Sequence, residues 1–237
     1  MTRRRPTLTA MMPVRNEADR YLEQALEDLS AYVDHIVVLD DASTDATPDI
    51  CRSFSKVILH RNPEPEFAVD ESRLRARLWR LAEETRPGWI LAIDADEIFE
   101  DGMKDQIDTL IDQDEYDAVE FRLFDFWGGT THCRVDGGWN PWPKRVRMLV
   151  RYDPGKRYTW PNRRLHCGRI PLELRGPLIV HQSALRVKHF GWARPEDVRR
   201  KYALYKSIET SDHLESVCDP PERVKLEPWI PAKRLPF

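Results

Sequence analysis

No apolar run in the 237 residues approaches the ~20 needed to cross a bilayer, and the stretch Met1-Thr-Arg-Arg-Arg-Pro lacks the apolar core of a signal peptide. A cytoplasmic location is therefore expected. Cysteine is scarce: Cys51, Cys133, Cys167 and Cys218 show no C-x-x-C spacing, which speaks against a zinc finger and against a disulfide framework. His132-Cys133 and His166-Cys167 are adjacent pairs, and neighbours on a strand point to opposite faces, so they read as core thiols rather than as metal chelators. No internal repeat, flexible linker or Gly-rich phosphate loop near the N-terminus is visible, which excludes solenoids and removes the main signal of a nucleotidyltransferase.

What is present is an aromatic-rich chain, with eight Trp, eight Phe and seven Tyr, far more than a disordered segment carries. Its net charge of −3 conceals an asymmetry. Residues 1–127 hold 15 Lys and Arg against 29 Asp and Glu, a charge of −14, whereas residues 128–237 hold 22 against 11, a charge of +11. We expect one domain with two specialised halves divided there.

The first half alternates strand and helix. Leu8 to Val14, His35 to Leu39, Lys56 to His60 and Trp89 to Ile93 are short apolar runs of the buried-strand kind. Between them lie helical periodicities on Tyr21, Leu22, Ala25, Leu26 and Leu29, and on Leu74, Leu78, Leu81 and Ala82, with Thr47-Pro48 as an N-cap and first helical residue. Four β–α units in succession predict an α/β fold with a parallel sheet covered by helices. The second half is mixed: a helix near Met103 to Ile111, strands near Val119 to Leu123, Val146 to Val150 and Leu185 to His189, and a helix from Pro195. Gly128 to Pro143 reads as a long loop, and the Pro-rich end from Asp219 as irregular.

Ligands of open parallel sheets bind outside the carboxyl ends of the strands. Three polar clusters fall there: Pro13-Val14-Arg15-Asn16-Glu17, Asp40-Asp41-Ala42-Ser43-Thr44-Asp45 and Asp94-Ala95-Asp96-Glu97. Alone, each has a plain structural reading, since Glu17 suits a helix N-terminus and Asp40 and Asp41 suit a turn. Asp41-x-Ser43-x-Asp45 is no EF-hand, because Ala46 and Arg52 replace the required Gly and Glu. Together the clusters put Glu17, Asp40, Asp41, Asp94, Asp96 and Glu97 on one rim. That is costly unless a cation or hydrogen-bond donors offset it.

The fragments P-V-R-N-E, L-D-D-A-S-T-D-A-T and W-I-L-A-I-D-A-D-E, in this order and spacing, resemble the nucleotide-sugar-binding half of glycosyltransferase family 2 over about the first 125 residues. One departure is Ala42 and Ala46 where glycine is common. The resemblance implies a GT-A fold, Rossmann-like, with a mostly parallel sheet flanked by helices and a mixed acceptor side. It implies that Pro13, Arg15, Glu17, Asp40 and Asp41 bind the base and ribose of a nucleotide sugar. Asp94 would contact the ribose or a metal-bound water, and Asp96 would ligate Mg²⁺ or Mn²⁺ bridging the diphosphate, where a hard cation stabilises the leaving group. Arg75 is the preferred phosphate contact among Arg73, Arg75, Arg77 and Arg80.

His189 shares a strand face with Leu185 and Val187, and the H-F-G-W segment resembles a distal histidine segment that completes the metal coordination in several GT-A enzymes. A core histidine is the competing reading, and His181 is the fallback. Inverting transfer also needs a carboxylate base, for which Asp136 is preferred over Asp125 and Glu173. Trp139 and Trp142 are the favoured platforms for sugar stacking. The expected function is thus metal-dependent, hexosyltransferase-type transfer from a nucleotide sugar. The alternative is a nucleotide-sugar-binding protein without transferase activity. The basic half, including Lys144, Arg145, Arg147, Arg199, Arg200 and Lys201, matches no nucleic-acid motif. It is expected to draw an anionic glycan, a lipid-linked sugar or a membrane surface at the periphery.

Overall fold

The computed structural model describes residues 5–100, 102–208 and 219–231. Four parallel strands form one flank of the sheet: β1 (Leu8–Val14), β2 (His35–Asp40), β3 (Val57–Arg61) and β4 (Trp89–Ala92). Further strands are β5 (Glu97–Phe99), β6 (Ala118–Trp127), β7 (His132–Arg134), β8 (Val146–Arg151), β9 (Val180–Trp192) and β10 (Leu226–Pro228). The path across the sheet is β3-β2-β1-β4-β8-β6-β7-β10, with β9 joining β6 to β5. Beyond β4 the sheet turns mixed, because β8 runs antiparallel to β4, and β9 runs parallel to β6 but antiparallel to β5.

Strand alternation divides the core into two layers. Leu8, Ala10, Met12, Ile36, Val38 and Leu91 face α1 (Leu22–Ser30) and α4 (Met103–Ile111). Met11, Val37, Leu39, Ile90 and Ala92 face α3 (Glu71–Glu83), which presents Leu74, Leu78, Trp79 and Ala82. α2 (Thr47–Ser53) buries Cys51 in the first layer, and α5 (Pro195–Ile208) follows β9. Cys133 and Cys167 are buried as well, while Cys218 lies outside the described residues.

Three local expectations need correction. The Gly128–Pro143 segment contains β7 and a 3₁₀ turn at Gly137–Trp139, and the Pro-rich end contains β10, which pairs with β7. Each strand is only three residues long, too short to show alternation. Thr47 is the first residue of α2 rather than its cap. Asp45 Oδ1 accepts from Thr47 N at 3.0 Å, and Thr47 Oγ1 instead accepts from Glu17 N at 2.7 Å.

The missing glycines in the β2 loop are partly explained. Ala46 has an ordinary φ of −76°, but Ala42 sits at +59°, where a Cβ is disfavoured by about 1 kcal/mol. Ala42→Gly is therefore expected to stabilise the chain by up to about 1 kcal/mol, read from the urea unfolding midpoint. An unchanged or lower midpoint would show that the turn is held without strain.

Candidate active site

Register places the three acidic clusters together. Val14 pairs with Asp40, and Met11 with Ala92, so β1, β2 and β4 deliver their following loops to the same edge. The first two loops interlock: Asn16 N donates to Ser43 Oγ (2.9 Å), Thr44 N to Asn16 Oδ1 (2.8 Å) and Ala18 N to Asp45 Oδ2 (3.2 Å). Asp40 accepts from Ser43 N and Arg61 Nε (3.0 and 2.6 Å). Asp41 accepts from Asn62 Nδ2 and from the amides of Glu66 and Phe67 (2.7, 2.7 and 2.9 Å). Both are almost fully buried, so this pair shapes the loops from beneath. Pro13 is half-buried at the end of β1, and Arg15 is exposed beyond it.

The loop after β4 carries the remaining carboxylates. Asp94, with 30% of its side chain exposed, accepts from Arg75 Nη1 at 2.8 Å, and Arg75 also reaches Glu71. Arg75 is the one α3 arginine that does so: Arg73 pairs with Glu66, Arg77 donates to Asn62 and Arg80 to the Ala76 carbonyl. Burial raises the Asp94 pKa, but Arg75 and Arg169 outweigh it and hold the group below the usual range. Glu97 is buried and gripped by Arg169 through both oxygens at 2.6 and 2.9 Å.

β5 pairs with β9 so that Glu97 lies opposite His189, and this brings His189 to Asp96. His189 Nε2 stands 3.5 Å from Asp96 Oδ1, and Nδ1 lies 2.5 Å from Asp125 Oδ1. Asp96 Oδ2 accepts from Lys201 Nζ at 3.1 Å and from Arg20 Nη2 at 3.5 Å. Burial penalises an Asp96 carboxylate, yet Lys201, His189 and Arg20 hold it well below its ordinary range. Burial likewise opposes a charged His189, but Asp96 and Asp125 push its pKa up to about 10. His181, the fallback, is exposed and stacks on Tyr116. Asp96 and His189 thus lie side by side, and Lys201 Nζ lies against both, 3.1 Å from Asp96 Oδ2 and 3.4 Å from His189 Nε2. Among the described residues no three His, Cys, Asp or Glu side chains are arranged to hold a metal ion.

The three candidate bases separate. Asp125 lies beneath His189 in the site. Asp136 accepts from Arg134 Nε (2.6 Å) and the Lys225 amide (3.1 Å). Burial raises its pKa, but these bonds outweigh that and leave it below the ordinary value. Glu173 accepts from the amide and hydroxyl of Thr159. Trp139 packs with Trp127 and Trp192 beside Arg134, whereas Trp142 is half exposed under Arg122. Trp192 in turn lies edge-on to His189 and under the Lys201 ammonium, 4.6 Å from the ring centroid.

A strand-end DxD, an interlocked Asp-Asp loop and a histidine returned by a later strand occur here in one chain. Residues 9–167 match the family model for glycosyl transferase family 2. The chain belongs to this family. Over 94% of its length it is 26% identical to the uncharacterized proteins Rv3786c of Mycobacterium tuberculosis and Mb3815c of Mycobacterium bovis, and it spans 61% of the length of each. Solved structures share its GT-A fold. S. aureus TarS aligns with a TM-score of 0.58 at 14% identity, over 89% of this chain and 42% of that one. TarS 1-349 in complex with UDP-GlcNAc gives 0.53 at 12% identity, over 90% and 70%. GalNAc-T7 with UDP, GalNAc and Mn²⁺ gives 0.50 at 13% identity, over 85% and 48%.

For this family 2 chain the residues that sequence reasoning missed are the cations. Arg20, Arg61 and Arg169 stand in none of the sequence motifs, and Lys201 reads only as part of a basic surface. Arg147, another member of that surface, is paired with Glu120. A signal existed for Arg20, three residues after Glu17, a spacing at which a single turn brings the two side chains together. None existed for Arg169 or Lys201, whose partners are 72 and 105 residues distant.

Glu17 shows what this crowding costs. Burial pushes its pKa up to about 7 in spite of Arg20, which donates to Oε1 at 2.5 Å, and Oε2 has no hydrogen-bond partner among the described residues. A raised carboxylate contributes stability that is complete below its unfolded pKa near 4.5 and is lost as pH rises through about 7. Glu17→Gln should therefore match wild type near pH 4.5 and exceed it by on the order of 2–3 kcal/mol at pH 8. Unfolding midpoints measured across this range check it, and parallel curves would place the proton elsewhere.

Proposed function

We propose that the chain carries the donor site of a glycosyltransferase that moves a hexosyl group from a nucleoside diphosphate sugar to an acceptor, with inversion. The observation that carries this reading is the convergence of Asp94, Asp96, Arg75 and Lys201 at the carboxyl edge of the sheet, next to the interlocked β1 and β2 loops. In this reading Pro13, Arg15, Glu17 and the loop built on Asp40 and Asp41 hold the nucleoside. Asp94, the most open rim carboxylate of the DxD segment, contacts the ribose or the transferred sugar. The nearby cations face the diphosphate, which gains charge as the glycosidic bond breaks. TarS, solved with UDP-GlcNAc, supports a donor of this class.

The expected Mg²⁺ or Mn²⁺ does not fit Asp96 and His189 as they stand, because the Lys201 ammonium lies against both, 3.1 Å from Asp96 Oδ2 and 3.4 Å from His189 Nε2. No step is therefore assigned to a metal. Calorimetry with a panel of UDP- and GDP-sugars, with and without Mn²⁺, tests the donor assignment. Binding of one donor is expected, and no binding by any would overturn it.

The binding-only reading also has an observation in its favour: Asp136 is tied to Arg134, and Asp125 to His189. Of the two carboxylates, Asp125 is the one within reach of the site and is our choice for the acceptor side. The basic half is assigned an anionic glycan or lipid-linked acceptor, with peripheral membrane contact; among the described residues no helix is long and apolar enough to cross a membrane. Acceptor binding should weaken as salt is raised.

A further inference from the structure

Resting on the donor reading above, we infer that the Lys201 ammonium takes the part a divalent cation would play, so that this chain binds the diphosphate of its donor without metal. A bridging Mg²⁺ needs oxygen ligands near 2.1 Å in octahedral array, with Asp96 turned freely toward the phosphates. Asp96 is not free in this way. Its Oδ2 is shared by Lys201 Nζ at 3.1 Å and Arg20 Nη2 at 3.5 Å, and its Oδ1 faces His189 Nε2. Lys201 Nζ is within 3.4 Å of His189 Nε2, the second expected ligand. A point charge thus sits against both expected ligands.

The surroundings hold that charge in place. Gly191 walls the niche: a Cβ there would lie 1.9 Å from Lys201 Nζ, 2.6 Å from His189 Nε2 and 2.7 Å from Asp96 Oδ2. Trp192 presents its ring face to the ammonium at 4.6 Å, a favourable cation–π distance. The helix bearing Lys201 is anchored one turn earlier. There Asp197, with a fully buried side chain, accepts from Arg20 Nε at 2.8 Å and from Arg194 Nε at 2.9 Å. Arg20 also touches Asp96, so one network fixes Lys201, Asp96 and the loop after β1. About a fifth of the Lys201 side chain remains exposed. Fixed donors of this kind act on developing charge with little reorganisation.

The test is calorimetry with UDP and GDP on the full chain, in EDTA and in excess Mn²⁺. Whichever nucleotide wild type binds, its Kd should agree within about threefold between the two conditions. Lys201→Met keeps the aliphatic stem on Trp192 but removes the charge. In EDTA it should bind at least about 30-fold more weakly, and Lys201→Arg should recover most of that loss. Circular dichroism and a thermal melt establish that both variants are folded. Binding by wild type only in Mn²⁺, or an unchanged Kd in a folded Lys201→Met variant, would overturn the role of Lys201 while leaving the donor reading intact. Binding of neither nucleotide under either condition would remove the donor reading and this inference with it.

Discussion

Asp94→Asn is expected to reduce donor turnover, measured as hydrolysis of the bound nucleotide sugar, by about 10²–10³-fold with the fold unchanged. The substitution keeps the shape of the side chain and removes one charge. Arg75 retains Glu71 as a partner, and Asp94 is the most open of the DxD carboxylates, so the structural penalty is small. The result separates the two readings of the site. Turnover by wild type that fails in the variant makes the chain an enzyme with Asp94 in its chemistry. Equal turnover in both would remove Asp94 from the reaction, and binding without turnover in either would favour the binding protein.

The second large effect concerns stability. Arg169→Ala should cost about 3–5 kcal/mol, because it leaves the buried Glu97 carboxylate without its bidentate partner. In a domain of this size that corresponds to a drop of roughly 6–20 °C in Tm. Adding Glu97→Gln removes the stranded charge and should recover part of the loss, which a simple packing defect would not allow. A drop equivalent to less than about 1 kcal/mol would class the pair with exposed surface bridges.

These two residues mark the boundary of what was legible. Asp94 could be found by reading, because it directly follows the apolar run Trp89 to Ile93, and any β–α succession puts the carboxyl ends of parallel strands on one edge. The same rule located Asp40, Asp41 and Glu17. It could not say that Asp40 and Asp41 would be enclosed by Arg61, Asn62 and the Glu66 and Phe67 amides, since those donors come from the return of β3 and the loop behind it. His189 was legible as an inward-facing residue by its period on β9. Its place beside Asp96 was not, because that depends on the antiparallel pairing of β9 with the three-residue β5. The surroundings of Asp136 were not legible for a related reason. Its position in a Trp-rich loop suggested function, and the loop proved to be a short strand whose arginine claims the carboxylate.

The charge asymmetry also changes meaning. Part of the positive surplus of the second half lies inside the site of the first: Arg169 on Glu97 and Lys201 on Asp96. Less of it is therefore left at the surface for an acceptor. The sequence by itself determined the α/β succession, the family and the edge on which the acidic clusters gather, because strand period and β–α order are local and directional. The tertiary structure alone decided how that edge is neutralised. Coulombic partners 60 to 105 residues apart leave no periodic trace in the chain and meet only when β9, α5 and the segment before β9 that carries Arg169 fold back across the ends of the parallel strands.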